Sequence, residues 1–110
     1  MKKFNLETIY GVENGCIFVL NKYKNNDSLA ISIYNNDGEA VCNLSINIVW
    51  SSFINKNQFY VKDYDGMEII AKSLVELGLI KDLKEKVSQG YGIYNLYELT
   101  EKAMDYVWRD

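Results

Sequence analysis

The stretch KDYDGMEII, residues 62 to 70, sets Asp63, Asp65 and Glu68 within six positions, directly after a short strand-like run. Carboxylates crowded in this way can hold a hard cation such as calcium, or share protons in acid–base chemistry. The spacing does not suit a calcium loop. With Asp63 at loop position one, Asp65 falls at position three, but Met67 stands at five, Glu68 where the loop needs glycine, and Leu74 where a glutamate should close it. A helix entrance fits better, with Asp65 as N-cap, Glu68 three residues on, and Tyr64 and Ile69 at the positions of a hydrophobic staple. The expectation is therefore a capped helix, no metal site, and an Asp63 charge left free to meet a partner.

The rest of the chain offers little catalytic equipment. It holds no histidine and only two cysteines, which rules out histidine-based triads, histidine-ligated zinc and a four-cysteine zinc site within one chain. Cys16 and Cys42 lie in apolar stretches and read as buried free thiols. Gly90-Tyr91-Gly92 echoes a dinucleotide loop, but Asn95 occupies the third glycine position and the residues after it alternate like a strand. No P-loop or nucleophile elbow occurs. No enzyme activity and no cofactor are expected.

What positions these residues follows from length and pattern. A chain of 110 residues, 48% hydrophobic and 25% charged, forms one domain over residues 1–110. Leu29 to Ile48 alternates apolar and polar residues about Asp37-Gly38, which predicts a hairpin with a two-residue type I′ turn. That register sets Ile33 against Cys42, Ile31 against Leu44 and Leu29 against Ile46 on the core face. Cys16 to Leu20 predicts a central strand covered on both faces, preceded by a short strand over Phe4 to Tyr10, with Asn14-Gly15 as a turn between them. Trp50 to Asn57 reads as a loop, and Gln58 to Lys62 as a strand.

Met67, Ile70, Ala71, Leu74 and Leu77 recur at helical spacing from Gly66 to Leu77, and Gly78 stands where a glycine ends a helix. Leu83 to Ser88 and Tyr91 to Leu99 predict a second strand pair turning at Gln89-Gly90. Thr100 to Trp108 predicts a short helix with Thr100 as N-cap and Leu99 stapled to Met104. The expected fold is α+β: a mainly antiparallel sheet of about five or six strands, one packed helix and a short C-terminal helix.

The surface residues that stand out are aromatic. Nine tyrosines occur, among them Tyr91, Tyr94 and Tyr97 on one predicted strand. Tyrosine suits half-buried strand positions and protein interfaces alike. Trp108, at the end of the terminal helix, has the residue type that anchors interfaces. With a net charge of −3 and scattered lysines, no basic footprint for nucleic acid is evident. No run is apolar enough to span a bilayer or serve as a signal sequence, so a cytoplasmic location without membrane contact is expected.

The order Leu29-Ala30-Ile31, Asp37-Gly38-Glu39, Leu44-Ser45-Ile46-Asn47-Ile48, then Gly90-Tyr91 ahead of Tyr94-Asn95-Leu96-Tyr97, resembles a family of small uncharacterised proteins. Its members are encoded on conjugative elements, plasmids and phages of gut and Gram-positive bacteria. The similarity covers roughly residues 28 to 99, with Asn95 standing where that family has proline. The resemblance implies a mobile-element context and carries over no catalytic residue. The expected function is a non-enzymatic binding protein that inhibits a host defence nuclease system, of anti-CRISPR or anti-restriction type, through protein–protein contact. Asp63, Asp65, Tyr91, Tyr94, Tyr97 and Trp108 are its candidate partner-binding residues. Two alternatives are a small-ligand or metal-binding domain around Asp63, Asp65 and Tyr60, and a homodimeric accessory protein joined through Met104 and Trp108 or a sheet edge.

Overall fold

Alternation in the N-terminal half builds an antiparallel meander. The computed structural model describes residues 1–48, 55–90 and 92–109. Strands β1 (Phe4–Thr8), β2 (Gly11–Lys22), β3 (Leu29–Tyr34) and β4 (Ala40–Asn43) pair in chain order. A second antiparallel sheet has the order β5 (Gln58–Lys62), β7 (Gly92–Leu99), β6 (Ile80–Gln89), and helix α1 (Met67–Glu76) packs against β1, β5 and β6. The α+β class holds, but the described residues form seven strands in two sheets rather than one sheet of five or six. The sheets meet where the Ile46 N–H donates to the Tyr60 carbonyl at 2.9 Å.

One core serves both sheets. Phe4, Leu6, Phe18, Ile31 and Ile33 of the first, with Leu44 just past β4, join Phe59, Val61, Ile80 and Leu99 of the second, with Leu79 just ahead of β6, and Ile70, Ala71 and Leu74 of the helix. Truncating a core aromatic such as Phe18 to alanine costs about 3–5 kcal/mol, so a few such residues hold much of the stability. No helix among the described residues is long and apolar enough to cross a membrane.

Several local expectations change. The turn between the first two strands falls at Ile9-Tyr10, where Thr8 pairs with Gly11; Asn14-Gly15 instead lies inside β2, at a register shift against β1. The strand β2 is central, yet only one face is fully covered. Cys16 and Phe18 are buried, while Ile17 and Val19 are half-buried on the other side.

The β3–β4 hairpin keeps the predicted Ile33–Cys42 pair, and the Leu44 N–H donates to the Ile31 carbonyl at 2.8 Å. Its loop is not type I′, because Gly38 has positive φ and Asp37 does not. Asn35 shapes it: its Oδ1 accepts from the N–H groups of Asp37 and Glu39, both at 3.0 Å. That longer loop pairs Tyr34 with Ala40, and a bulge at Val41 restores the register. Ile46 leaves the hairpin for Tyr60, so the Leu29–Ile46 pair does not form.

The strand β6 begins at Ile80, three residues earlier than predicted, because a bulge at Lys84 (φ 62°) lets it continue past a break in the alternation. The C-terminal element is a five-residue 3-10 helix (Lys102–Tyr106) followed by extended chain, not a helix to Trp108. It docks on its own domain: Val107 bridges Phe18, and the Trp108 N–H donates to the Phe18 carbonyl at 2.8 Å. Segment 49–54, which includes most of the predicted loop, and Tyr91 lie outside the described residues.

Candidate functional site

The carboxylate stretch sits at the corner between β5 and α1, and the backbone there departs from the predicted cap. Asp65 (φ 58°) and Gly66 (φ 82°) both take left-handed conformations. The Met67 N–H donates to the Tyr64 carbonyl across them at 3.1 Å, so Asp65-Gly66 is the turn with two positive φ angles expected at Asp37-Gly38. Gly66, not Asp65, is the N-cap, and no side chain caps the helix. Glycine suits the position because Ile9 of the neighbouring hairpin presses on it: a Cβ on Gly66 would lie 3.0 Å from Ile9 Cγ2.

Freed from capping, the polar groups of this corner point outward. Asp65 Oδ2 lies 3.5 Å from Lys62 Nζ, and that ammonium stands 5.3 Å from the Tyr64 ring centroid. Exposed contacts of this kind contribute about 0–1 kcal/mol each, so they orient side chains more than they hold the fold. Asp63 is exposed, and its N–H donates to the Ile93 carbonyl at 3.0 Å.

Pairing of β5 with β7 sets Lys62 opposite Tyr94. The Tyr94 ring meets Tyr64 edge-on at 6.3 Å, with the two hydroxyls 3.4 Å apart. That hydroxyl contact, with slight desolvation, raises the Tyr94 pKa above the usual phenol value. Tyr64, assigned to the helix staple, instead forms half of an aromatic pair and is 39% exposed; Ile69, its predicted partner, is exposed as well.

The six sequence-derived candidates therefore separate. Asp63, Asp65 and Tyr94 share one corner. Tyr97 belongs to the core, only 8% exposed and stacked on Phe59 with centroids 6.2 Å apart, and burial raises its pKa, helped by Asp82 and Asp63. Trp108 is 47% exposed on the other sheet, beside Ile17, Val19 and Tyr34. Tyr91 is not among the described residues. Tyr60 is a half-buried strand residue opposite Leu96 and bridged to Ile46.

Sequence reasoning missed Tyr64, whose role depends on strand pairing, and Ile93, whose carbonyl anchors Asp63. Among the described residues, no three His, Cys, Asp or Glu side chains converge as a metal-binding group. Burial raises the Cys16 thiol to about 11, with Glu13 adding to it, and raises Cys42 to about 12. Both cysteines are free. No family model matches the chain, and neither the curated proteins nor the solved structures contain a match.

Proposed function

We propose that this chain is a non-enzymatic binding protein of a phage or other mobile element, which inhibits a nucleic-acid-handling host defence protein through protein–protein contact. The observation that carries the reading is the corner where Tyr64 and Tyr94 pair beside the exposed carboxylates of Asp63 and Asp65. Tyrosines supply large contact area at low entropic cost, and flanking charges steer encounter with an oppositely charged surface. Proteins that handle nucleic acid carry basic surfaces, which suit such a corner. The mobile-element context rests on the motif order from Leu29 to Tyr97.

The test is a cleavage assay with purified CRISPR and restriction nucleases, adding the wild-type chain or a Tyr64→Ala/Tyr94→Ala variant. Inhibition by the wild type that the double variant loses supports the reading. No inhibition of any nuclease in the panel sinks it.

A second reading has its own observation. Trp108 stands exposed next to the half-buried Ile17, Val19 and Tyr34, an apolar face that a second copy could cover in a homodimer. Sizing at two concentrations, with Trp108→Ala as control, separates it from the first.

A further inference from the structure

Nine large apolar side chains are exposed among the described residues, and six of them, Ile9, Tyr10, Val12, Tyr64, Ile69 and Ile93, come from three segments that meet at this same corner. The β1–β2 turn touches it through Ile9, which packs on Gly66, and β7 joins through the Asp63–Ile93 backbone bond. Apolar side chains scattered singly need no explanation, but a contiguous group marks an interaction surface, and Ile9 and Tyr10 line one shallow depression with Asp65 and Gly66, next to Tyr64 in the same turn.

Tyr10 is its most prominent member, 91% exposed at the tip of the hairpin. The tip is held in place. Thr8 Oγ1 donates to the Gly11 carbonyl at 2.8 Å and accepts from the Tyr10 N–H at 3.1 Å, so little backbone freedom remains to be lost on docking.

The charges around this surface select the occupant. Glu7, opposite Val12 in the β1–β2 register, is exposed, as are Asp63, Asp65 and Glu68. Against these four carboxylates stand two lysines: Lys62, already engaged with Asp65 and Tyr64, and Lys72, exposed one helical turn after Glu68. A second copy would bring like carboxylates together, and phosphate-rich nucleic acid or anionic lipid would be repelled. Arginine fits both halves of the surface, since its guanidinium stacks on tyrosine rings and pairs with carboxylates.

We propose that Tyr10 anchors a docking surface, running from the hairpin tip across Asp65 to Tyr64, for an arginine-bearing apolar patch on a partner protein. This rests on the binding reading above and specifies the partner's chemistry.

The experiment titrates the isotope-labelled full chain with an arginine–leucine peptide, its lysine–leucine counterpart and a glutamate–leucine control, followed by amide chemical shifts. Saturable shifts confined to residues 9–12, 63–69 and 93–94, weaker binding of the lysine peptide, and a loss of about tenfold in affinity for Tyr10→Ala but none for Trp108→Ala support the proposal. Shifts spread evenly to distant carboxylates such as Asp27, Asp37 and Asp105 overturn it. So does an unchanged affinity for Tyr10→Ala, equal binding of the lysine peptide, or no saturable binding. Because Tyr10 is almost fully exposed, the variant's unperturbed amide spectrum away from the tip confirms its fold. Peptide binding without nuclease inhibition sinks the functional reading alone. Inhibition that survives Tyr10→Ala sinks the docking surface alone.

Discussion

Ile9 lies over Gly66, in the space that a side chain there would need, so the β1–β2 turn meets the start of α1 at a position without a side chain. A Cβ there would stand 3.0 to 3.3 Å from three Ile9 carbons, on backbone with φ of 82°. Gly66→Ala combines left-handed strain with crowding and should cost about 1–3 kcal/mol in urea unfolding. A loss within experimental error would show that Ile9 is free to move aside.

Asp65 separates a capping role from a conformational one. Replacing an N-cap aspartate by alanine costs about 0.5–2 kcal/mol, and by glycine only a few tenths. A left-handed residue without a capping bond behaves differently. Asp65→Gly and Asp65→Asn should match or exceed wild-type stability, while the β-branched Asp65→Val should lose about 1–2 kcal/mol. Thermal melts of the three variants decide it: asparagine caps as well as aspartate, so the glycine variant separates the two roles, and a destabilised Asp65→Gly would restore the capping reading.

The two thiols make stability fall in alkali. Burial raises Cys16 from 9.0 to about 11 and Cys42 from 9.0 to about 12. Above pH 9 the unfolded chain therefore releases thiol protons that the folded chain keeps, so the stability these groups provide is intact below pH 9 and is lost as pH rises through the folded values. Denaturant unfolding from pH 8 to 10.5 should show the decline, and a Cys16→Ala/Cys42→Ala variant should show a shallower one. A thiol-reactive dye should label the native chain slowly and the unfolded chain at once. Strand β3 lies between the two cysteines' strands, at ~4.8 Å per strand spacing, which leaves them too far apart for a disulfide. Oxidant should accordingly leave the melting temperature unchanged.

Thr100 ties the terminal segment to the end of α1. Its Oγ1 donates to the Gly78 carbonyl at 2.7 Å and accepts from the Ala103 N–H at 3.3 Å. Thr100→Val preserves shape but removes both bonds, and should cost about 1–3 kcal/mol, with Thr100→Ser recovering most of it. Equal stability of the valine variant would mean that water replaces the hydroxyl.

Local chemistry made part of this protein legible. Met67, Ile70, Ala71 and Leu74 fall on one buried face because helical spacing depends only on neighbours in sequence. Gly78 ends α1 as expected: its N–H donates to the Val75 carbonyl and the Leu79 N–H to the Leu74 carbonyl, both at 3.0 Å, the paired bonds of a Schellman motif. The Ile33–Cys42 pair also followed from alternation, even though the loop that leads to it was of another type.

What tertiary structure decided were matters of pairing and competition between sites. Asp65-Gly66 and Asp37-Gly38 are the same dipeptide, yet only the first takes two positive φ angles. At the second, the Asn35 side chain captures two backbone N–H groups and favours a longer loop. Alternation already sets Tyr94 and Tyr97 on opposite faces of the strand, but not which face is the core. Sheet pairing and the core next to it send Tyr97 onto Phe59 and Tyr94 out to Tyr64. The composition alone excluded histidine chemistry, because a missing residue type cannot be restored by folding. Residue types alone could not bring Tyr10, Tyr64 and Ile93 to one corner: their segments are distant in sequence, and only strand pairing and the Ile9–Gly66 contact join them.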